Sequence, residues 1–323
     1  MDILISEDIR GKSIDSLREH YDVGVFTDLW KQPAELSRLV GNGVKALIVR
    51  NQTKVNSSIL DNAASLKVIG RAGVGYDNID VESANRKGIV VCYTPDGNTV
   101  STAELTLSLM LALLRKIPNA DIATKSGKWE RFKFLGNELS GKTVGILGLG
   151  KIGKAVASRL HAFGVQLYAY DKFVQPGEEI VAKLGIELAS LEKTLTNSDI
   201  ISVHLPLTKE TRHLLNDNTF KLMKPGSLLI NTARGEIVEE SSVVKALQEN
   251  ILKGAALDVR VQEPPVVSEL EKFENVILTP HVGALTEEAQ EKVVSTLVRD
   301  VEFVLSGRPA LNYVNFPSYR VPG

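Results

Sequence analysis

The sequence predicts an α/β protein in which two domains are each built on a doubly wound parallel sheet. Three observations lead there. Short apolar runs alternate along nearly the whole chain with polar segments of helical spacing, the pattern of strands covered by helices on both faces. The run at 144–147 is followed by Gly148-Leu149-Gly150-Lys151-Ile152-Gly153 and then by Val156, Leu160 and Phe163 at helical spacing, the strand, glycine turn and helix of a dinucleotide site. The chain has 323 residues, enough for two domains with a sizeable core in each.

In chain order, the apolar runs at 3–5, 23–26, 46–49, 68–70 and 89–93 are expected as strands. The stretches 13–20, 33–40 and 81–87 carry polar residues on helical spacing and are expected to lie between them. Pro95-Asp96-Gly97-Asn98 is a turn cluster that closes the first domain and places a hinge before a helix at 101–116. The most apolar part of that helix, 105–114, includes Thr106 and Ser108 and runs into Arg115 and Lys116. It is too short for a bilayer and reads as buried. Residues 125–139 are polar and broken, with Trp129, Phe132 and Phe134 among Lys125, Lys128, Arg131 and Lys133. A nucleic-acid patch and an arm reaching a second subunit both fit this composition, and the lack of a basic balance favours the arm. Beyond the glycine turn, runs at 165–170, 200–205, 228–231, 255–259 and 276–278 join 144–147 in an expected sheet of six strands. A last helix at 287–305, with Val293, Leu297, Val301 and Val304 on one face, is expected to run back to the first domain. A short turn-rich tail is expected from 309, and a third domain is not expected. The expected boundaries are 1–97 plus 287–323 for one domain and 98–286 for the other.

Each glycine of the turn has a separate task. Gly148 permits the tight turn, Gly150 lets the backbone approach a pyrophosphate, and Gly153 lets helix pack on strand, so N–H groups face the phosphates. Asp171 ends the next strand at the spacing of about 20 residues that the fingerprint requires. A carboxylate there accepts hydrogen bonds from a ribose 2′-hydroxyl and repels a 2′-phosphate, so NAD is favoured over NADP. Lys172 either softens that discrimination or faces solvent.

With 38 basic and 39 acidic residues interspersed, the chain has a formal charge of −1 and no electrostatic footprint for nucleic acid or an anionic membrane. Its partners are expected among small molecules. Cys92 is the only cysteine, which excludes an intramolecular disulfide and a thiolate metal cluster. Its neighbours Val90 and Val91 make it a buried strand thiol, and no metal is expected. The opening Met1-Asp2-Ile3-Leu4-Ile5 reads as a strand and not as a charged leader, so a cytoplasmic location is expected.

Sites in open α/β sheets lie beyond the carboxyl ends of the strands. Three charged side chains follow apolar runs there: Arg234 after 228–233, Glu263 a short loop beyond 255–259, and His281 at the end of 276–280. Arginine holds a carboxylate through two parallel hydrogen bonds, histidine exchanges a proton near neutral pH, and a nearby glutamate orients the imidazole and favours its protonated form. Taken singly, each has an ordinary structural role as a cap, a solvated acid or a core histidine. Beside a cofactor turn they assemble into one reaction: hydride leaves C2 of a 2-hydroxy acid for the nicotinamide while His281 removes the hydroxyl proton, and His281 returns it in reverse.

These residues lie in segments that resemble the signatures of the D-2-hydroxyacid dehydrogenase family. They are Gly148 to Gly153, Asn231-Thr232-Ala233-Arg234-Gly235-Glu236-Ile237-Val238, Ala256-Leu257-Asp258-Val259 with Glu263-Pro264-Pro265, and Thr279-Pro280-His281-Val282-Gly283-Ala284. The resemblance covers nearly the whole chain, and the segments 71–80, 127–131 and 214–220 are most similar to the family's phosphoglycerate dehydrogenases. It implies two Rossmann-like domains with the site in a cleft between them, and a homodimer, or a tetramer, built through the nucleotide domain. Arg234 is implied as the carboxylate binder, His281 as the acid/base and Glu263 as its support. NAD contacts are implied at Val74, Thr102, Lys151, Ile152, Asp171, Leu205, Thr232, Ala233, Asp258, Val282, Gly283 and Ala284. Substrate contacts are implied at Asn51, Val74, Gly75 and Asn98, with Arg50, Arg71 and the partner subunit's Arg131 receiving a phosphate.

Four positions depart from the pattern of the phosphoglycerate enzymes. Asn51 and Leu285 stand where serine is usual, Tyr76 where a smaller aliphatic residue is usual, and Arg260 where phenylalanine is common. An added base at Arg260 either favours another anionic substrate or faces solvent. The longer phosphoglycerate enzymes carry C-terminal regulatory domains, and feedback through one is not expected here. Three functions remain open at this point. The first is oxidation of D-3-phosphoglycerate to 3-phosphohydroxypyruvate with NAD, at the start of serine synthesis. The second is the same chemistry on hydroxypyruvate, glyoxylate, a sulfonated hydroxy acid or D-lactate. The third is an NAD-sensing, corepressor-like binding protein, for which Arg234, Glu263 and His281 together would be superfluous.

Overall fold

A computed structural model describes residues 1–315, and in it the early apolar runs become β1 (Ile3–Ile5), β2 (Val23–Val25), β3 (Ala46–Val49), β4 (Val68–Arg71) and β5 (Val90–Cys92). They pair in parallel in the order β2-β1-β3-β4-β5, the flavodoxin-like winding. Helices α1 (Lys12–Leu17), α2 (Pro33–Gly41), α3 (Ser57–Asp61) and α4 (Val81–Arg86) lie between them. The sequence reading missed α3, which has five residues and starts where the Asn56 side chain accepts the Ile59 N–H. So short a helix shows no period. Along the strands, Ile3, Ile5 and Ile48 enter one core while Leu4, Leu47 and Val49 enter another on the opposite face, which is why these strands read as unbroken apolar runs.

Helix α5 (Thr99–Leu114) opens a second compact unit, Thr99–Gly283; the first consists of Met1–Asn98 with the chain from Ala284 onward. After α6 (Ile117–Lys125) come β6 (Thr143–Leu147), α7 (Lys151–His161), β7 (Gln166–Tyr170), α8 (Glu179–Leu184), β8 (Glu187–Leu188), α9 (Leu191–Asn197) and β9 (Ile200–Val203). The unit continues with α10 (Asp217–Phe220), β10 (Ser227–Asn231), α11 (Glu240–Gln248), β11 (Leu252–Leu257) and β12 (Val276–Leu278). Among the described residues the sheet has seven strands, in the order β12-β11-β10-β9-β6-β7-β8, and not the expected six. The addition is β8, a two-residue edge strand paired only with β7, too short for a hydrophobic pattern. The winding reverses between β6 and β9, and the carboxyl ends beside such a switch are where open α/β sheets place their ligands.

The last helix, α12 (Glu287–Leu305), starts where the Thr286 hydroxyl accepts the Ala289 N–H. It returns to the first unit as expected, burying Val293, Leu297, Val301 and Val304 in the same core as Ile3, Ile5, Val68 and Cys92. Burial pushes the Cys92 thiol well above its ordinary range, as suits a strand thiol. Tyr313 then forms an antiparallel bridge with Cys92. The part of the expected tail beyond residue 315 lies outside the described residues. Among those described, no helix is long and apolar enough to cross a membrane.

Candidate active site

Gly148 follows β6 with φ +96°, in the left-handed region that favours glycine, and a Cβ there would lie 2.8 Å from the backbone of His204. At Gly153 a Cβ would lie 2.1 Å from the carbonyl oxygen of Gly148. Helix α7 therefore starts this close to β6 only because that side chain is missing. Gly150 differs: nothing lies within 4 Å of where its Cβ would stand, and no side chain caps the helix. Open space in front of helix N-terminal N–H groups is what a pyrophosphate requires, so these residues fit the dinucleotide.

Asp171 follows β7. Its Oδ2 accepts the Leu149 N–H at 2.8 Å, and its Oδ1 accepts those of Phe173 and Val174 at 2.8 and 3.1 Å. The carboxylate thus ties the glycine turn to the end of the neighbouring strand, a task the sequence did not reveal. Oδ2 retains a second lone pair for a ribose hydroxyl.

The reaction side of this unit is assembled from the ends of β10, β11 and β12. Buried Asn231 shapes the turn after β10, its amide donating to the Arg234 carbonyl at 2.9 Å and accepting the Ala233 N–H at 3.0 Å. Thr232 is joined to Thr106 of α5 through hydroxyls 2.9 Å apart. Asp258, 1% exposed, accepts the Thr279 hydroxyl at 2.6 Å and the N–H groups of Val282 and Gly283 at 2.9 Å each, while its carbonyl accepts the His281 N–H at 2.8 Å. Burial pushes the Asp258 carboxyl up, and these hydrogen bonds offset only part of that. The turn so gripped holds His281 at φ +55°, a conformation rare outside glycine and found at functional sites. Thr102 adds a bond from its hydroxyl to the Gly283 carbonyl at 3.2 Å.

His281 Nδ1 lies 2.6 Å from Glu263 Oε2. Burial works to raise the Glu263 carboxyl, but the hydrogen bond and charge of His281, the Arg260 N–H and the charge of Arg234 hold it below its ordinary range. Arg234 is therefore in electrostatic reach of the pair, with its Nη1 donating to the Ala233 carbonyl at 2.7 Å. Leu205 backs Gly148 on the glycine side. Arg131 is exposed on a one-turn helix, Arg131–Phe134, flanked by Trp129, Phe132 and Leu135 at 77%, 90% and 75% exposure.

The remaining candidates lie in the first unit. Arg50 follows β3, its Nη1 donating to Gln290 at 2.8 Å, and burial lowers its pKa. The backbone beside Asn51 is held by Glu7, 3% exposed, whose carboxylate accepts the N–H groups of Arg50, Gln52 and Thr53 at 2.8, 3.1 and 2.9 Å. Arg71 ends β4 and is 7% exposed, with Nη1 on the Ala72 carbonyl at 3.0 Å. Val74 and Gly75 follow it, Asn98 closes the first segment of this unit and Ala284 opens the second. Tyr76 stacks edge-on against Tyr93 with ring centroids 5.7 Å apart.

Several working residues escaped the sequence reading. Glu7 carries the same signal as Asp171, an acid just after an apolar run, but no motif accompanied it. His204 is half-buried, with Nε2 2.8 Å from the Ser202 hydroxyl, and desolvation of its ring pushes it down to about 4. Arg260 contradicts both of its readings: it neither faces solvent nor stands as an added base for a substrate anion. It is 7% exposed and carries ion pairs to Glu240 and Glu271, each at 2.9 Å.

Residues 107–283 match the family described as D-isomer specific 2-hydroxyacid dehydrogenase, NAD binding domain. The D-3-phosphoglycerate dehydrogenase of Archaeoglobus fulgidus is 44% identical over 320 residues, covering 98% of this chain and 60% of that relative. The chain thus spans 60% of the length of this curated relative. The solved structure of the TT0316 protein from Thermus thermophilus superposes with a TM-score of 0.90 at 36% identity, over 98% of this chain and 100% of that one. D-lactate dehydrogenase from Aquifex aeolicus, solved with NAD and lactic acid, superposes at 0.87 with 29% identity, over 98% and 100%. A family match over more than half of the sequence, centred on the sheet whose turn is shaped for a dinucleotide, leads to one conclusion: the chain belongs to the D-isomer specific 2-hydroxyacid dehydrogenase family and carries its NAD-binding domain.

Proposed function

We propose that the protein catalyses reversible, NAD-dependent hydride transfer at C2 of a D-2-hydroxy acid, and that its substrate pair is D-3-phosphoglycerate and 3-phosphohydroxypyruvate. The observation that carries the chemistry is the 2.6 Å hydrogen bond between His281 and Glu263, in the unit that binds the dinucleotide. With Nδ1 engaged by Glu263, proton exchange with the substrate hydroxyl falls to Nε2. Glu263 stabilises the imidazolium as it forms, as the acid of a catalytic triad does. Arg234 holds the substrate carboxylate and so fixes which face of C2 is presented. Gly148 to Gly153 would hold the pyrophosphate of NAD and Asp171 a ribose hydroxyl, and the bound nicotinamide would supply the hydride acceptor. Thr102, Leu205, Thr232, Ala233, Asp258, Val282 and Gly283 are the further cofactor residues in this reading.

The choice of substrate is supported by kinship to a phosphoglycerate dehydrogenase and by Arg50, whose desolvated guanidinium gains from an anionic ligand. Arg71 and the partner subunit's Arg131 complete the phosphate set, with Arg71 turning from the Ala72 carbonyl to do so. Exposed Trp129, Phe132 and Leu135 support a homodimer built through this arm, since large apolar patches mark interaction surfaces. Dependence on the intracellular NAD pool supports a cytoplasmic location.

The test is initial-rate oxidation of NADH with 3-phosphohydroxypyruvate, run beside hydroxypyruvate, glyoxylate and pyruvate at matched concentrations. A strong preference for the phosphorylated acid is expected. If the unphosphorylated acids are turned over faster, the phosphate role of the arginines is wrong. Absence of turnover with every acid, together with retained NADH binding, would instead favour a sensor of NAD.

A further inference from the structure

Arg260 makes more polar contacts than a solvated or substrate-facing base would. Its Nε and Nη2 grip both oxygens of Glu240 at 3.0 and 2.9 Å, Nη1 donates to Glu271 at 2.9 Å, and Nη2 reaches the Ser268 hydroxyl at 3.1 Å. A planar fork that holds two carboxylates in fixed directions is a task for arginine that lysine does not match. Both acids are themselves tied to the chain around them. Glu240, the first residue of α11, also accepts the Val261 N–H at 3.0 Å, and Glu271 accepts the N–H and the hydroxyl of Ser268 at 2.8 Å each. The loop 260–271 is therefore stapled at both ends. Its start is pressed on the turn after Arg234, where a Cβ on Gly235 would lie 2.1 Å from the carbonyl carbon of Arg260.

Apolar burial holds this loop only at its far end, where Leu270 is 1% exposed; Val261, Val266 and Val267, along the stretch that carries Glu263, are 46%, 68% and 83% exposed. Segments with so few buried contacts open readily unless polar clamps hold them. Glu263 lies within it, taking the Arg260 N–H on Oε1 at 3.1 Å and His281 Nδ1 on Oε2 at 2.6 Å. We infer that Arg260 is a positioning residue of the reaction, whose double ion pair fixes the loop that aims Glu263 at His281. This rests on the reading of His281 and Glu263 as the proton-transfer pair. A phenylalanine in its place would offer no such fork, and Glu240 and Glu271 belong to the same device.

The experiment compares Arg260→Phe, Arg260→Lys, Glu271→Gln and Glu263→Gln, alone and combined, in the full chain. Misplacement of a supporting group by about 1 Å costs on the order of 100-fold, so Arg260→Phe is expected to lower kcat by ~10- to 100-fold while NADH affinity stays within about twofold. Arg260→Lys recovers part of the loss. Because Arg260 acts through Glu263, Arg260→Phe combined with Glu263→Gln is expected to be no slower than Glu263→Gln alone. Proton NMR reads the same point without turnover: the far-downfield Nδ1 proton of the His281–Glu263 bond is expected in the parent chain and lost in Arg260→Phe. Multiplying losses in the double variant, or an unchanged Nδ1 resonance, would overturn the inference. Should Arg260→Phe not fold, Glu271→Gln opens a single arm, and an undisturbed Nδ1 resonance there overturns it as well. A parent chain inactive on every keto acid would defeat the functional reading instead, and the resonance would still decide the clamp.

Discussion

Replacing Glu263 by glutamine tests the proposed chemistry most directly, because it keeps the size and a hydrogen-bonding end while removing the charge. In the oxidation direction neutral His281 takes the hydroxyl proton, and positive charge develops on a ring whose Nδ1 is 2.6 Å from the Glu263 carboxylate. With charge centres ~4 Å apart and an effective dielectric of ~20, the attraction is ~4 kcal/mol. Charge develops only in part at the transition state, so ~3–4 kcal/mol is lost, which at 1.36 kcal/mol per decade is a fall in kcat of roughly 10²–10³. The assay is NADH formation from D-3-phosphoglycerate, with NADH affinity measured separately by fluorescence. Affinity should be preserved, since the removed charge bears on the transition state and not on the glycine turn. A glutamine variant within about threefold of the parent in kcat would refute the argument, because no placement of a carboxylate at this distance makes so small a difference.

Four further outcomes follow from the geometry. Gly153→Val puts atoms into the Gly148 carbonyl, 2.1 Å from the Cβ position, and should cost ~1–3 kcal/mol in urea unfolding together with much of the NADH affinity; an unchanged midpoint and affinity would contradict it. Asp171→Ala removes the acceptor of three backbone N–H groups, so it should weaken NADH binding by about tenfold or more without converting the protein to efficient use of NADPH; a clean switch to NADPH would show that the carboxylate only repels. Glu7→Ala strips the 50–53 backbone of its buried acceptor and should cost ~2–3 kcal/mol and raise the substrate KM; unaltered stability by denaturant titration would refute it. Glu271 is held down to about 2, chiefly by its hydrogen bond from Arg260. A depressed carboxylate contributes stability above its unfolded value and loses it as pH falls, so the melting-temperature advantage over Glu271→Gln should be full at neutral pH and vanish between pH ~4.5 and ~2; an advantage that persists at the acid end would be inconsistent with that pairing.

Sequence alone determined whatever is local to the chain. The buried strands were visible because a run covered on both faces is apolar at every position, and α12 because Val293, Leu297, Val301 and Val304 repeat on one face. The glycine turn was legible for a similar reason, since the missing side chains at 148 and 153 are a steric demand on those positions themselves. Elements too short to show a period, α3 with five residues and β8 with two, left no trace. Tertiary structure decided who faces whom. Arg260 looked like an added base because nothing in its neighbourhood along the chain announces Glu240, 20 residues back, or Glu271, 11 residues on. Glu7 gave no sign that it grips a loop more than 40 positions away. A periodicity is carried by one segment, whereas an ion pair or a buried acceptor exists only once the sheet has brought two distant segments side by side, and its strength depends on burial that no single segment specifies.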